Sequence, residues 1–391
     1  DRLVSSNALA KEIHQIAQNI SDEEDALAAL VIAADISTHG FGMGEVHLRI
    51  NAVQLRNAMR PVDGRTISIT DGVSSPRLLM ERLAARIREE PAWDISFASV
   101  DRETATARRQ LMLATQFLKH IDSDKPIRLL IAECEKPLTI MSSLYLAHKF
   151  GIADMIDISP LFETSFGLEH GEKIVDQLLQ QPVFIDYLRQ RGRLSIQTGF
   201  SDAGRFVGQL AANMAIERLQ LKILRSLKAK VGTSIDLLIF NTHGESLGRG
   251  GAQAPMAQRQ AWLMTPYVRQ QAAELGISLF HQSSFQGGDG YRLFGSAKLA
   301  EATMRSLLAA EMAPPPQDCA TDAFYQQTDF SLDLFLALKA WHEQLLIDPN
   351  YSDLIDLFGS NLLPPTGSRP TKRVVDAGGG RRGPSKIRAI A

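Results

Sequence analysis

The sequence predicts an α/β fold, namely a (β/α)8 barrel of the TIM type with additional α-helices, helix-rich overall. Short runs rich in β-forming residues alternate with longer amphipathic runs, which is typical of parallel strands joined by crossover helices. The 391 residues are enough for one such barrel or for two or three smaller domains. No G-x-G-x-x-G follows any predicted strand, which favours a barrel over an open dinucleotide-binding sheet.

The composition excludes several other classes of protein. Lysine and arginine total 42 against 44 acidic residues, and this net charge of −2 argues against a dedicated nucleic-acid binder. No run of eighteen apolar residues occurs, so no transmembrane helix is expected. The two cysteines, Cys134 and Cys319, exclude a disulfide framework and a cysteine-rich zinc site, and they fit a reducing cytosol. We therefore expect a cytoplasmic globular protein with no nucleic-acid or membrane partner.

Three regions follow one another along the chain. Residues 1–40 are a predicted helical N-terminal segment, in which Ser21–Glu24 is typical of a helix start. Residues 41–313 form the predicted barrel, and residues 314–391 form a helix and a tail rich in glycine, proline and basic residues that packs on it. We expect no signal peptide, and we expect flanking regions of a longer polypeptide beyond both ends.

The barrel prediction depends on seven β-rich runs, one fewer than the eight strands that close a barrel. These predicted strands are Glu45–Ala52, Asp94–Val100, Ile127–Glu133, Met155–Ser159, Leu194–Thr198, Asp236–Asn241 and Ser278–Gln282. The predicted helices are Arg102–His120, Leu138–Phe150, Glu169–Gln180, Ala203–Lys230, Met256–Leu275 and Phe324–Leu346.

Acidic residues follow two neighbouring predicted strands. Glu163 comes after the fourth strand and Asp202 after the fifth. Active sites of β/α barrels lie at these strand ends, and Mg²⁺ or Mn²⁺ takes one or two carboxylates from a protein. Glu163 and Asp202 are therefore the predicted metal ligands. The alternative is that each acid caps a helix, with Asp202 as the N-cap of the long helix that follows.

Two glycine-rich loops follow the last two predicted strands. Gly248, Arg249, Gly250 and Gly251 suit a loop whose amides and guanidinium approach an oxyanion. The alternative is a flexible turn with a solvated arginine. Gln286 lies on the second glycine loop. The three glycines and Gln286 are predicted to bind substrate, and Arg249 is a predicted catalytic residue.

Other side chains of interest receive either a functional or a structural interpretation. His243 can move a proton near neutral pH, although a single histidine in a loop is also typical of an exposed surface position. Arg205 lies close to Asp202 at the same strand end and is also a catalytic candidate. His342 lies within a predicted helix and is interpreted as a surface or packing residue. Cys134 has no base beside it and is predicted to be a buried, inert thiol.

Five short motifs occur in a fixed order along the chain. They are Pro160–Thr164, Phe200–Gly204, Leu247–Ala252, Gly367–Arg373 and Ile387–Ile390. In this order they resemble the phosphoenolpyruvate carboxylase family, and the resemblance covers roughly residues 41–391. It implies a lyase that fixes carbon by joining bicarbonate to phosphoenolpyruvate, which gives oxaloacetate and phosphate. It also implies Mg²⁺ or Mn²⁺ as cofactor, a small anionic substrate, and a homo-oligomer (dimer or tetramer).

The resemblance also assigns roles to individual residues. Glu163 and Asp202 stand where the family holds its metal, in agreement with the prediction from strand ends. Arg249 stands at the arginine in the second half of the family's glycine loop. Arg205 stands at a catalytic lysine of the family; an arginine keeps the charge but cannot give up its proton.

The sequence departs from the family where phosphate is bound. The loop His243–Ser246 lacks one arginine and is shorter, Val53 stands at the arginine of the first strand, and a third arginine falls near Leu357 or Phe358. Each lost guanidinium–phosphate contact weakens binding by about 1.5–3 kcal/mol. Two alternatives therefore stay open: a divergent metal-dependent lyase that acts on a different 2-oxo acid or enolate, and a catalytically degenerate scaffold or binding member.

Overall fold

The computed structural model describes most of the chain. The described residues are 3–60, 75–242, 255–284, 293–312, 319–351 and 353–354. Within them the fold is a helix-rich α/β arrangement around one six-stranded parallel sheet, whose strands lie side by side in chain order. Consecutive elements are usually neighbours in space, and each parallel strand needs a crossover connection that returns the chain to the same end of the sheet.

The strands are short and mostly buried. They are β1 (His47–Asn51), β2 (Ile127–Ala132), β3 (Ile156–Phe162), β4 (Arg193–Thr198), β5 (Asp236–Thr242) and β6 (Leu279–Ser284). Every residue of β2 and β3 is buried, including the charged Arg128 and Asp157 and the polar Ser159. The α/β class is thus confirmed, and so is a parallel sheet.

Helices fill most of the remaining described chain. They are α1 (Ser6–Ala17), α2 (Glu23–His39), α3 (Ala52–Ala58), α4 (Pro76–Glu89), α5 (Phe97–Arg102), α6 (Thr106–His120), α7 (Pro137–Lys149), α8 (Ser165–Leu178), α9 (Pro182–Arg191), α10 (Phe200–Val207), α11 (Gln209–Val231), α12 (Met256–Leu263), α13 (Pro266–Leu275), α14 (Ala297–Met312), α15 (Ala323–Gln326) and α16 (Thr328–Ile347). None of the helices that the structure describes combines the length and the apolar character needed to cross a membrane.

One predicted strand is wrong. Residues 94–100 do not join the sheet, and Phe97–Arg102 forms helix α5 instead. The side chain of Ser96 accepts a hydrogen bond from the backbone N–H of Ser99, so a polar N-cap starts a helix in a run that looks β-rich by composition. Ile95 and Val100 are buried, so the apolar pattern reports burial here rather than a strand.

Three predicted helical regions are each divided in two. The N-terminal region forms α1 and α2, and the second begins after Asp22, whose carboxylate accepts from the N–H groups of Glu24 and Asp25. The region Ala203–Lys230 breaks at Gly208, which has φ +84° and lies between α10 and α11. The region Met256–Leu275 breaks before Pro266, the first residue of α13.

The chain forms two compact units. The first comprises Asp1–Pro160 with Gln177–Ser195, and the second comprises Leu161–Asp176 with Ile196–Ala391. In the first unit α3 packs on α6 and α7, and α4 packs on α7 and α9. In the second unit α11 packs on α10, α13 and α16.

Strand β3 presents one face to α8 and the other to polar neighbours. Phe162 lies against Gly171 of α8, where an added Cβ would come within 2.9 Å of the ring. Side chains alternate along a strand, so Asp157 and Ser159 lie on the opposite face from Phe162. There Ser159 Oγ lies 2.7 Å from Ser195 Oγ of β4. The face of β3 that turns away from α8 therefore carries two polar residues, Asp157 and Ser159, and the apolar Leu161.

Candidate functional site

Glu163 lies at the turn between β3 and α8. Its side chain is nearly buried, with 9% of the residue exposed. The next residue, Thr164, caps α8, because its Oγ1 accepts a hydrogen bond of 3.0 Å from the N–H of Gly167. Helix capping at the start of α8 is thus done by Thr164 rather than by Glu163.

Gly199 brings the end of β4 into close contact with Glu163. Its N–H donates to the carbonyl of Phe162 over 3.0 Å. A Cβ added to Gly199 would lie 2.6 Å from the Cβ and 3.3 Å from the Cα of Glu163, which is too close for any side chain. Only glycine allows the two strand ends to approach in this way.

Asp202 and Arg205 lie on the backbone of α10, which begins directly after Gly199. Gly199 is the N-cap, so Asp202 is the third residue of the helix and lies in its first turn. The alternative prediction, that Asp202 is the N-cap, is wrong. The structure therefore brings the first turn of α10 beside Glu163; the side chains of Asp202 and Arg205 are outside the described part of the structure.

A row of polar side chains, of which Thr198 and Asn241 are buried, crosses three neighbouring strands. Thr198 Oγ1 donates to Asn241 Oδ1 over 2.7 Å, and Asn241 Nδ2 lies 3.1 Å from His281 Nε2. Burial, with a smaller effect from the charge of Arg269, lowers the pKa of His281 to about 4. His281 is therefore neutral at pH 7, with Nε2 as acceptor and the proton on Nδ1.

Sequence reasoning missed this row. Its signal was the presence of Thr198 and Asn241 near the ends of two buried strands, where polar side chains are rarely buried without partners. Cys134, by contrast, is confirmed as a buried thiol. It is 1% exposed, and burial raises its pKa to about 12.

The sequence comparison decides the family. The family model described as phosphoenolpyruvate carboxylase matches residues 2–265 of the 391. This chain belongs to the phosphoenolpyruvate carboxylase family. The geometry at Glu163 and Gly199 therefore lies within the matched part of the chain.

Several curated phosphoenolpyruvate carboxylases align with parts of the chain. The protein of Marinomonas sp. is 31% identical over 127 residues, which are 32% of this chain and 14% of the relative. That of Acinetobacter baylyi is 25% identical over 255 residues, 64% of this chain and 26% of the relative. That of Thermus thermophilus is 35% identical over 103 residues, 26% of this chain and 11% of the relative. The alignments thus span about a quarter or less of each of these relatives.

The residues of this phosphoenolpyruvate carboxylase family member suit a hard divalent cation. Mg²⁺ needs only one or two protein carboxylates, because it keeps several of its waters. Glu163 and Asp202, the two predicted ligands, are carboxylates of that kind in the segments that follow adjacent strands. Among the side chains that the structure describes, no group of three or more His, Cys, Asp or Glu residues forms a metal cluster. A site with two carboxylates is compatible with that finding.

The remaining predicted site residues follow the ends of β5 and β6. His243, Gly248, Arg249, Gly250, Gly251 and Gln286 all lie outside the described residues, and their roles stay predictions. Leu357 and Phe358 lie outside them as well. Val53, which stands at a phosphate arginine of the family, lies in the first turn of α3 and is 46% exposed.

Proposed function

We propose that this chain carries the metal site of a phosphoenolpyruvate carboxylase-like lyase, with Glu163 and Asp202 holding Mg²⁺ or Mn²⁺. The observation that supports it best is the contact of Gly199 with Glu163. It fixes a nearly buried carboxylate beside the first turn of α10, the helix that carries Asp202. Membership of the family supports the same assignment.

In this proposal the other candidates bind and orient the substrate. The metal ion, when bound, supplies positive charge to the enolate oxygen of the substrate. Arg205 and Arg249 hold the transferring phosphate and the carboxylate, and the amides of the glycine loop (Gly248, Gly250 and Gly251), together with Gln286, line the substrate site. His243 moves a proton near neutral pH. The product class is oxaloacetate with phosphate.

The proposal includes the finer architecture and the assembly. We propose that the six-stranded parallel sheet is part of a (β/α)8 barrel, because its strands follow chain order and helices connect them. We also propose a cytoplasmic homo-oligomer, either a dimer or a tetramer. Light scattering of the purified chain tests the assembly: a monomeric mass at micromolar concentration contradicts it.

A second candidate function is a divergent lyase that acts on a 2-oxo acid or enolate without a phosphate group. The exposed Val53 favours it, because valine offers no charge at a position where the family places a phosphate-binding arginine. This candidate keeps Glu163, Asp202, Arg205 and Arg249.

A manganese titration tests the metal site. We expect the parent to bind Mn²⁺ and the Glu163→Gln and Asp202→Asn variants to lose binding at least tenfold, because each substitution removes a charged ligand. Glu169→Gln is the matched control, since this acid is exposed on α8 and makes the same chemical change. Equal binding by the parent and both site variants would contradict the assignment.

A coupled assay for oxaloacetate separates the two substrates. With Mn²⁺, bicarbonate and phosphoenolpyruvate, we expect slow product formation, because phosphate-binding arginines are missing. Fast carboxylation of phosphoenolpyruvate would reject the second candidate. Turnover of a non-phosphorylated 2-oxo acid that requires Glu163 would support it.

A further inference from the structure

Helix α16 packs against the segment that carries Asp202 and Arg205. It contacts both α10 and α11, and all three helices belong to the same compact unit. Helix α10 has only 8 residues, and a helix this short is not stable by itself in water. Its orientation must therefore come from its neighbours.

His342 of α16 lies on the break between α10 and α11. It is 8% exposed, and a Cβ added to Gly208 would lie 3.2 Å from both Cγ and Nδ1 of its ring. Gly208 has φ +84°, and its N–H donates to the carbonyl of Gly204 over 3.0 Å, which ends α10. The imidazole thus fills the space beside the residue that sets the angle between the two helices.

Tyr325, just before α16, ties the same C-terminal segment to α11, the helix that follows Gly208. Its hydroxyl donates to Glu217 Oε1 of α11 over 2.7 Å, and Glu217 is 7% exposed. Thr265 Oγ1 donates to the same oxygen. The ring of Tyr325 stacks on Tyr267, with centroids 3.8 Å apart and an interplanar angle of 21°. A buried carboxylate that accepts hydrogen bonds from two hydroxyl groups holds both side chains in a defined geometry.

We propose that Tyr325 and His342 are positioning residues that clamp α10 in its orientation and so place Asp202 beside Glu163. The consequence for metal binding rests on the proposed function. Both residues lie beyond residue 265, where the match to the family model ends. The C-terminal part of the described chain thus takes part in the candidate site without touching the ion.

The clamp is tested in the full chain with His342→Ala. We expect amide hydrogen exchange in Phe200–Val207 to become at least tenfold faster and the dissociation constant for Mn²⁺ to rise at least tenfold. His342→Phe keeps Cβ, Cγ and a planar ring, so it should restore both values to within threefold of the parent. Gln344→Ala, at an exposed position of the same helix, should change neither.

Tyr325→Phe provides a milder test if His342→Ala does not fold. It removes one hydroxyl and keeps the stack on Tyr267. We expect exchange in α10 to rise about threefold and Mn²⁺ binding to weaken about threefold, which corresponds to the loss of one hydrogen bond.

The results separate this clamp from the metal assignment. Parent-like exchange and Mn²⁺ binding in folded His342→Ala and Tyr325→Phe would overturn the clamp. Faster exchange with unchanged Mn²⁺ binding would also overturn it, provided that Asp202→Asn abolishes binding. If Glu163→Gln and Asp202→Asn bind Mn²⁺ as the parent does, the proposed function fails instead, and the exchange measurement alone then decides whether α16 holds α10.

Discussion

At the scale of single residues, Gly199 shows how a missing side chain shapes a site. The space that a Cβ would occupy is filled by Glu163, so the approach of the β3 and β4 ends depends on glycine. Its φ of −102° is open to any residue, so the requirement is for space and not for backbone conformation.

Gly199→Ala should therefore act through packing. We expect a loss of about 1–3 kcal/mol in the free energy of unfolding, as for an overpacked core, and weaker Mn²⁺ binding. Urea unfolding and a manganese titration measure the two effects. Gly192→Ala is the contrasting control: this residue has φ +70° and open space around it, so it should cost stability and leave Mn²⁺ binding unchanged. Unchanged binding in Gly199→Ala would contradict the close approach.

His281 predicts a pH dependence of stability. Its pKa is lowered to about 4 from an ordinary value of 6.5, so the unfolded chain binds this proton more tightly. The contribution of neutral His281 is present above pH 6.5 and is lost as the pH falls towards 4; it is worth up to about 3 kcal/mol. His281→Gln keeps an acceptor for Asn241. In this variant the free energy of unfolding should change less with pH between pH 6.5 and pH 4.

Urea unfolding at several pH values measures this effect. His39→Gln is the control, because His39 is exposed at the end of α2. A His281→Gln variant that loses stability between pH 6.5 and 4 as steeply as the parent would show that folding does not lower the pKa of His281.

At the scale of elements, the start of β3 is held by an ion network. Asp157 is 1% exposed and pairs with Arg193 at 2.5 Å and Arg191 at 2.9 Å. Burial by itself raises the pKa of Asp157, but the hydrogen bond from Arg193 and the charge of Arg191 outweigh burial and hold that pKa below its ordinary value. Arg128 of β2 pairs with Glu45 nearby in the same unit.

Asp157→Asn should cost about 3–5 kcal/mol at pH 7, because it leaves two arginines without their carboxylate. A lowered pKa means that the stabilisation is present above pH 4 and lost as the pH falls further, so the difference from the parent should narrow in acid. Asp186→Asn is the control, since its pair with Arg189 is exposed and worth about 1 kcal/mol or less. Equal effects of the two substitutions would contradict a buried network.

Elements with strong local signals could be predicted from the sequence. The start of α2 follows from the helix-start signal at Asp22, and strands β2 and β3 follow from runs rich in β-forming residues. Helix α5 and the break at Gly208 could not be predicted in the same way. Ser96 is one of many serines, and His342, which packs against Gly208, is more than a hundred residues away along the chain.

At the scale of the whole molecule, the pattern of alternating strands and helices predicted the parallel sheet, and the strand ends predicted which segments meet. The contact of Glu163 with Gly199 joins the ends of two such neighbouring strands. The polar row through Asn241 and the clamp through Tyr325 and His342 depend on packing between distant segments, and no local pattern encodes it.

The choice of substrate depends on residues from several distant parts of the chain. The Val53→Arg variant tests one of these positions. If phosphate binding was lost with the arginines, we expect Val53→Arg to tighten phosphoenolpyruvate binding about tenfold or more in the presence of Mn²⁺. Calorimetry measures the dissociation constant. Val31→Arg makes the same change at an exposed position of α2 and should have no effect. No gain in Val53→Arg would show that this position does not face phosphate.

Strand β3 carries a buried ion network at its second residue, Asp157, and the proposed metal ligand Glu163 follows directly after its last residue. The stability of the fold and the proposed metal site therefore depend on different residues of one short segment. The segments that follow the strands can therefore be changed to accept a new substrate while the ion network at the start of β3 keeps the fold stable.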